Sequence, residues 1–430
     1  MYSRRLRTGR PTPSVLPPLS ILRQRDLIDS CTTSPGSTAG AVDAAVVGGP
    51  AIRFDAATNL TKVYTRAFAQ PIDFTNKRLE LEVMGINRSA TNSVTILVSS
   101  DGFATTSIGG FIQPVNAENA WNASGQWQTV TFAMNTNQTA PGGNYQAIFT
   151  TPANPPDFTK ITHWRISIRD IYGDSLPLTQ VWVRAVNAIE LPPEPIISFH
   201  FDRHTVDTVY NTAVPILQAK NWPATMMLRV MALQSGGYSI TVPQALDLKN
   251  NWGWDYGYYE YSSYLENANN YQNYTTRSQA QAEQLISDGI AQMDAWGLLT
   301  NGIRICAGQD RKLSDSFGLA LLKQYFDYVN VPCSLESSAY WPADNGMRAI
   351  TRYVLGGEPV AQVYASIDRA VANKEWMVLK FHDITDSGTG IPTPIADFQA
   401  IVDYVASKNV RVMSTSAVLS LGGTGYMPVS

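Results

Sequence analysis

The sequence predicts a multidomain chain of two classes: an all-β sandwich over residues 41–190, then an α/β barrel over residues 196–430. Three observations predict them. Apolar and polar residues alternate with period two in the first stretch, strand-like and helix-like runs alternate in the second, and the proline-rich LPPEP at 191–195 separates them as a linker. A length of 430 residues has room for two or three domains.

Composition narrows the class. At 44% hydrophobic residues the chain can build full cores, while charged residues make up only 16%. Asn, Thr, Ser, Gln and Tyr carry much of the polarity, which suits a rigid, β-rich, extracellular-type protein and argues against disorder. A net charge of -3 gives no basic field for nucleic acid. Cys31, Cys306 and Cys333 are too few and too scattered for a disulfide framework. No apolar run is long enough to span a membrane. The N-terminal arginines are not followed by an apolar stretch, so no export signal is expected.

Residues 1–40 read as an extended arm. Arg4, Arg5, Arg7 and Arg10 cluster ahead of Pro11, Pro13, Pro17 and Pro18, a composition that builds no core. The arm is either an anchor on an acidic or symmetric partner or a tail without structure. From Gly40 to Glu190, the runs RLELEVMG, SVTILVSS (93–100), WQTVTFAM (127–134), HWRISIRD (163–170) and TQVWVRAV (179–186) alternate, with turn residues between them. This is the pattern of an antiparallel sandwich. Asp73-Phe74-Thr75 and Asp157-Phe158-Thr159 each precede a strand. In architecture the module resembles the jelly-roll modules of carbohydrate-binding proteins, without a calcium-loop signature. That resemblance implies glycan binding; a scaffold or oligomer contact is the alternative.

After the linker come strands at IISFHF (196–201), ATMMLRV (224–230), GIRIC (302–306), WMVLKF (376–381) and VRVM (410–413). Helices are expected at 278–297, with Ala282, Leu285, Ile286, Ile290 and Met293 on one face, and at 319–329. Thr393 is expected to cap a further helix with Pro394 at its first position and Phe398, Ile401, Val402 and Val405 on its buried face. Alternating units of this kind build a parallel sheet, open or closed.

Five segments in order carry a more specific resemblance: ISFHFDRHTVDTVYNTAVPILQAKNWPATMML, LDLKNNWGWDYGYYEYSSY, NGIRICAG, EWMVLKFHDITD and TPIADFQAIVDYVASKNVRVMSTSAVLSL. Together they resemble the polysaccharide deacetylase (NodB-type) family from about Ile196 to Leu421, which implies a distorted β/α barrel. In active members a divalent metal on one aspartate and two histidines activates water and polarises the acetyl carbonyl. A second aspartate is the base and a histidine protonates the leaving amine. On this chain the resemblance puts Asp202 at the base position and His382, followed by Asp383, at the acid position. Arg304 is retained, with Cys306 where a proline stands. The metal aspartate is replaced by Arg203, and the metal histidines fall on Tyr259 and Ser263.

These departures imply that the metal is lost. A catalytic zinc needs about three His, Asp, Glu or Cys ligands; Arg203 brings a cation, and Tyr259 and Ser263 are poor ligands. Without metal, the pKa of the attacking water returns from near ~7 toward ~15.7. The expected cofactor is therefore none. The alternative is a divalent metal such as zinc on His200, Asp202, His204 and Asp207, where alternation would share one strand face; its competitor is a His200 packed inside the barrel. Arg203, Tyr259, Tyr261, Trp254 and Asp383 are the candidate substrate-binding residues, because rings stack on sugars and hydroxyls bond to them. Packing is the competing role for the aromatic residues, and solvent exposure for Arg203.

The expectation is a virion-associated, glycan-binding protein, such as a phage tail fibre, spike or other appendage, with a degenerate deacetylase barrel. Its partners would be a cell-surface polysaccharide and other virion proteins reached through the arm, with no nucleic acid and no membrane span. A homo-oligomer is expected. The alternatives are an active carbohydrate deacetylase or esterase with a non-standard or metal-free site, an extracellular location, and a purely structural particle protein. Asp202, Arg304 and His382 are expected to converge at the C-terminal ends of the barrel strands.

Overall fold

In the computed structural model the described residues are 25–34, 39–46, 49–56, 60–86, 93–112, 127–133, 154–169, 180–190, 194–201, 208–230, 233, 240–260, 278–299, 303–307, 325–326, 328–333, 348–354, 358–372, 374, 376–387 and 392–421. The first ten strands are β1 (Arg25–Asp29), β2 (Ala41–Asp43), β3 (Ala51–Asp55), β4 (Thr61–Ile72), β5 (Lys77–Ile86), β6 (Ser93–Ser99), β7 (Ile108–Ile112), β8 (Gln128–Ala133), β9 (Ile161–Arg169) and β10 (Gln180–Glu190). They make two antiparallel sheets. One runs β2-β3-β10-β5-β8 with β1 also on β10, and the other runs β4-β9-β6-β7.

Period-two burial joins the sheets into one core. Phe54, Leu79, Leu81, Val83, Val181 and Val183 come from the first sheet, and Ile96, Val98, Trp164, Ile166 and Ile168 from the second; all are fully buried. Each such side chain contributes about 1.5–3 kcal/mol by leaving water. The DFT repeats act as paired turns. Asp157 caps a short 3-10 turn over Phe158–Lys160 ahead of β9, Asp73 accepts from Thr75 N at 2.8 Å, and Phe74 N donates to Phe158 O at 2.7 Å.

The expected arm boundary at residue 40 is corrected. β1 pairs along β10, and Cys31 and Ala39 are buried. The cause is Arg66 on β4. Its guanidinium bonds Asp29 through Nε and Nη2 at 2.7 and 2.9 Å, and Thr33 O and Ala39 O through Nη1 at 2.9 and 3.1 Å. Residues 25–34 and 39–40 thus belong to the sandwich; residues 1–24 lie outside the described residues.

The second unit is a parallel sheet of β11 (Ile196–Phe201), β12 (Thr225–Arg229), β13 (Asp255–Glu260), β14 (Ile305–Ala307), β15 (Tyr328–Cys333), β16 (Arg348–Tyr353), β17 (Trp376–Phe381) and β18 (Arg411–Val412). Pairing runs from β12 through β17 to β11, and β11 also pairs β12. Seven strands therefore close into a ring. β18 lies along Ile196 and Ile197, while β12 meets β11 at His200 and Phe201.

Around the ring lie α1 (Val214–Gln218), α2 (Val242–Trp252), α3 (Gln279–Ala295), α4 (Val360–Ala372) and α5 (Ile395–Ser407), with a seven-residue α6 (Thr415–Leu421) after β18. Ile286, Ile290 and Met293 of α3, and Phe398, Ile401, Val402 and Val405 of α5, are buried as their spacing predicts. Gly289 of α3 faces the Tyr258 ring so closely that a Cβ would collide with it.

Two local expectations are corrected. The helix expected over 319–329 does not reach its end, because Tyr328 and Val329 open β15 and pair with Ile305 and Cys306; residues 319–324 are outside the described set. Pro394, not Thr393, is the N-cap of α5, and Asp386 supplies the acceptor for Ile395 N at 3.0 Å.

Candidate functional site

Alternation along the strands separates two sides of the ring. Ile197, Phe199, Phe201, Met226, Leu228, Tyr256, Tyr258, Met377, Leu379 and Phe381 pack outward with the helices. Ile196, Met227, Ile305, Trp376 and Val378 form a separate cluster inside, joined by Val418 and flanked by Tyr259, Ile303 and Met413. Residues in step with this inner set are Ser198 and His200 on β11, Thr225 and Arg229 on β12, Asp255 and Gly257 on β13, and Lys380 on β17.

The end of the barrel where the strands begin is plugged. Trp376 Nε1 donates to Ser198 Oγ at 2.9 Å, and Ser198 Oγ donates to Met413 O at 2.7 Å. Thr225 Oγ1 accepts from Thr415 N at 2.9 Å and donates to Thr415 Oγ1 at 2.8 Å. Asp255 accepts from Ser416 N at 2.5 Å. Burial pushes its carboxyl above the ordinary carboxylate range, and hydrogen bonding, from Ser416 first, only partly opposes this. The start of α6 thus fills the gap that β12 leaves along β11.

The opposite end is the mouth, where sites of parallel barrels form. β11 and β17 end together, Phe201 beside Phe381, and His382 follows. One step inward, His200 and Lys380 are register partners; His200 is fully buried and Lys380 is 5% exposed. Arg229 at the end of β12 stacks 5.2 Å from the Tyr259 ring. Asp383 accepts from Thr208 Oγ1 at 3.2 Å, and its carbonyl accepts from Thr393 N at 2.8 Å, which ties down the loop after β17.

The anticipated residues distribute unevenly over this frame. His382, Asp383, Tyr259 and His200 gather toward the mouth or inner wall. Arg304 does not: it precedes β14, alternates with the inward Ile303 and Ile305, and is exposed. Its convergence with His382 is therefore corrected. Trp254 is also corrected as a sugar contact, since it is buried on the outer side and stacks on Phe201 at 5.8 Å. Cys306 is buried, and burial pushes its thiol pKa up. Asp202, Arg203, His204, Asp207, Tyr261 and Ser263 lie outside the described residues.

Lys380 and Arg229 fall outside every matched motif position. The signal for Lys380 is a single charge inside the apolar run WMVLKF: a strand buried on both faces can take a lysine only where its ammonium enters the lumen. His200 offers one imidazole donor, with Lys380 and Arg229 on the same inner wall, while Asp202, His204 and Asp207, the other candidate ligands, lie outside the described residues. Among the described residues no group of three His, Cys, Asp or Glu side chains could hold a metal.

No protein-family model matches the chain, and no curated protein matches it. Among solved structures, the chain is similar to the Xyl-CE4 domain of a multidomain xylanase from the hindgut metagenome of Trinervitermes trinervoides, at 13% identity and a TM-score of 0.36, over 54% of this chain and 92% of that one. It is similar to a family 4 acetyl xylan esterase from Clostridium thermocellum in complex with a cobalt ion, at 16% identity and a TM-score of 0.34, over 55% and 94%. It is also similar to a CE4 family pseudoenzyme from Bacillus anthracis, at 10% identity and a TM-score of 0.33, over 53% and 66%. At these values the architecture rests on the strand pairing itself.

Proposed function

We propose that this chain is a non-catalytic, glycan-binding surface protein whose barrel is a retired carbohydrate deacetylase. Lys380 carries the reading. A buried ammonium beside His200, one step inside the mouth, supplies the positive charge that a metal would otherwise bring, without the Lewis acidity or the activated water. Such a mouth holds an acidic or acetylated sugar by charge and hydrogen bonds without cleaving it. The sandwich supports the same reading. Its strand order, β3-β10-β5-β8 opposite β4-β9-β6-β7, is what a jelly roll requires, and lectin and capsid domains share that architecture. The proposed setting is a virion, as a phage tail fibre, spike or other appendage, assembled as a homo-oligomer and attached through the basic, proline-rich residues 1–24.

A second reading, an active deacetylase or esterase that works without metal, draws on His382 at the mouth beside an Asp383 held by Thr208. Metal analysis and acetate release on the same purified sample separate the two. The first reading expects no bound divalent metal and no acetate from acetylated oligosaccharides. Acetate release that disappears in His382→Ala would replace it with the second, and stoichiometric metal would overturn the cationic-lumen argument itself.

A further inference from the structure

The sandwich carries an independent polar grouping on the face of β4-β9-β6-β7 turned away from the core. Register aligns Ala67, His163 and Ser99 in one row, Thr65, Arg165 and Leu97 in the next, and Val63, Ser167 and Thr95 in the third. These positions alternate with the core residues Trp164, Ile166 and Ile168, so they point outward. Arg165 stands at the centre. Its Nε donates to Thr65 Oγ1 at 2.9 Å, and its guanidinium carbon lies 3.8 Å from the centroid of the Phe103 ring. Burial alone acts on its pKa, lowering it, and among the described residues no carboxylate pairs with it.

The loop over this face is tightly built. Phe103 has φ 68 and follows Gly102 at φ 70, a left-handed conformation that a bulky residue keeps only when its surroundings enforce it. Ser99 and Asp101 enforce it. Phe103 N donates to Ser99 Oγ at 2.9 Å, and the Asp101 carboxylate accepts from Ser99 Oγ, Thr105 N, Thr105 Oγ1 and Thr106 Oγ1 at 2.7–2.8 Å. The one acid of this loop is thus used within it, and the aromatic ring is held against the arginine.

We propose that this face binds an acidic sugar, a hexuronate within a glycan. Its carboxylate lies against the free edge of the Arg165 guanidinium, and Phe103 meets a pyranose face. A guanidinium held over a ring and oriented by Thr65 presents forked donors, which match a planar carboxylate. An aromatic face takes the apolar side of a sugar ring, and Thr95, Ser167 and His163 supply polar groups for hydroxyls. The inference rests on the glycan-binding reading, but locates binding on the sandwich rather than in the barrel.

Calorimetric titration of the full chain with glucuronate-, galacturonate- and mannuronate-containing oligosaccharides, and with their carboxyl-reduced forms, tests it. At least one hexuronate oligosaccharide binds, and carboxyl reduction weakens it at least tenfold. Arg165→Gln and Arg165→Lys each cost at least tenfold, the lysine because it lacks the fork. Phe103→Ala and Thr65→Val cost several-fold, whereas Lys160→Gln, which removes a charge outside these rows, changes nothing. Equal binding by native protein and Arg165→Gln overturns the proposal, as does a panel with no hexuronate bound. A change of oligomeric mass in Arg165→Gln also overturns it, by showing a contact between copies. Binding of a neutral acetylated glycan without any hexuronate would sink this inference and leave the glycan reading standing; absence of all glycan binding would remove both.

Discussion

Each unit of this protein buries an aspartate, and the two solve the same problem in opposite ways. In the sandwich, Asp29 meets a full counter-charge: Arg66 bonds both carboxylate oxygens, Trp164 Nε1 adds a bond at 2.9 Å and Cys31 N one at 2.8 Å. Burial pushes this carboxyl up, but the bonds from Arg66 and Trp164 and the Arg66 charge outweigh it, leaving the pKa lowered. In the barrel, Asp255 is covered only by neutral donors, and burial wins. Desolvation is common to both, so the sign of the shift follows from whether a cation is buried alongside. The sandwich uses its pair to fasten a segment from outside its main alternating pattern. The barrel uses its acid to seat the start of α6 under the ring.

The contrast breaks most visibly at the charged pair. Arg66→Ala leaves the Asp29 charge buried without its partner, and Asp29→Ala does the reverse. With side chains only 5% and 9% exposed, either substitution is expected to cost about 3–5 kcal/mol. Denaturant unfolding followed by tryptophan fluorescence reads this through Trp164. A loss below about 1 kcal/mol would mean that water reaches the pair and that residues 29–34 and 39 are held by other contacts.

A smaller loss is expected where the barrel is held by neutral bonds. Thr225→Val keeps the shape of the side chain and removes the hydroxyl that both accepts from Thr415 N and donates to Thr415 Oγ1. It leaves a buried N–H without an acceptor, which costs about 1–3 kcal/mol. The loss should not change with salt. A loss as large as that of the Arg66 variant would show that the plug is the barrel's weakest closure.

The units were not equally legible in the sequence. Period two marked the sandwich strands because alternate positions enter the shared core, as Trp164, Ile166 and Ile168 do. The place of residues 25–34 and 39–40 is not legible locally, because they are held by Arg66, far along the chain, and composition cannot show such a bond. In the barrel, strand runs such as IISFHF were visible, but their sidedness was not, since both faces are buried. That is why Arg304 was assigned to the mouth from its motif, while alternation with Ile303 and Ile305 turns it outward. It is also why Lys380, the one charge in an apolar strand, was passed over.

The smallest expected effect separates the two aspartates by pH. Asp255→Asn keeps an acceptor for Ser416 N and removes the ionisable group. Because the folded pKa of Asp255 lies above its unfolded value of about 3.9, the native state holds more protons between the two, so its contribution to stability falls as pH rises through that window. The penalty is complete above the folded pKa and absent below about 3.9. The variant should therefore be more stable than the native protein at neutral pH, with the gain fading on acidification. Asp29 runs the other way: its pKa is lowered on folding, so its stabilisation is full above about 3.9 and is lost as pH falls through the folded value. Unfolding curves of the native protein and of Asp255→Asn between pH 4 and pH 8 should thus converge at the acid end. Parallel curves would mean that Asp255 ionises as freely in the fold as outside it, and the opposition between the two units would fail at its barrel half.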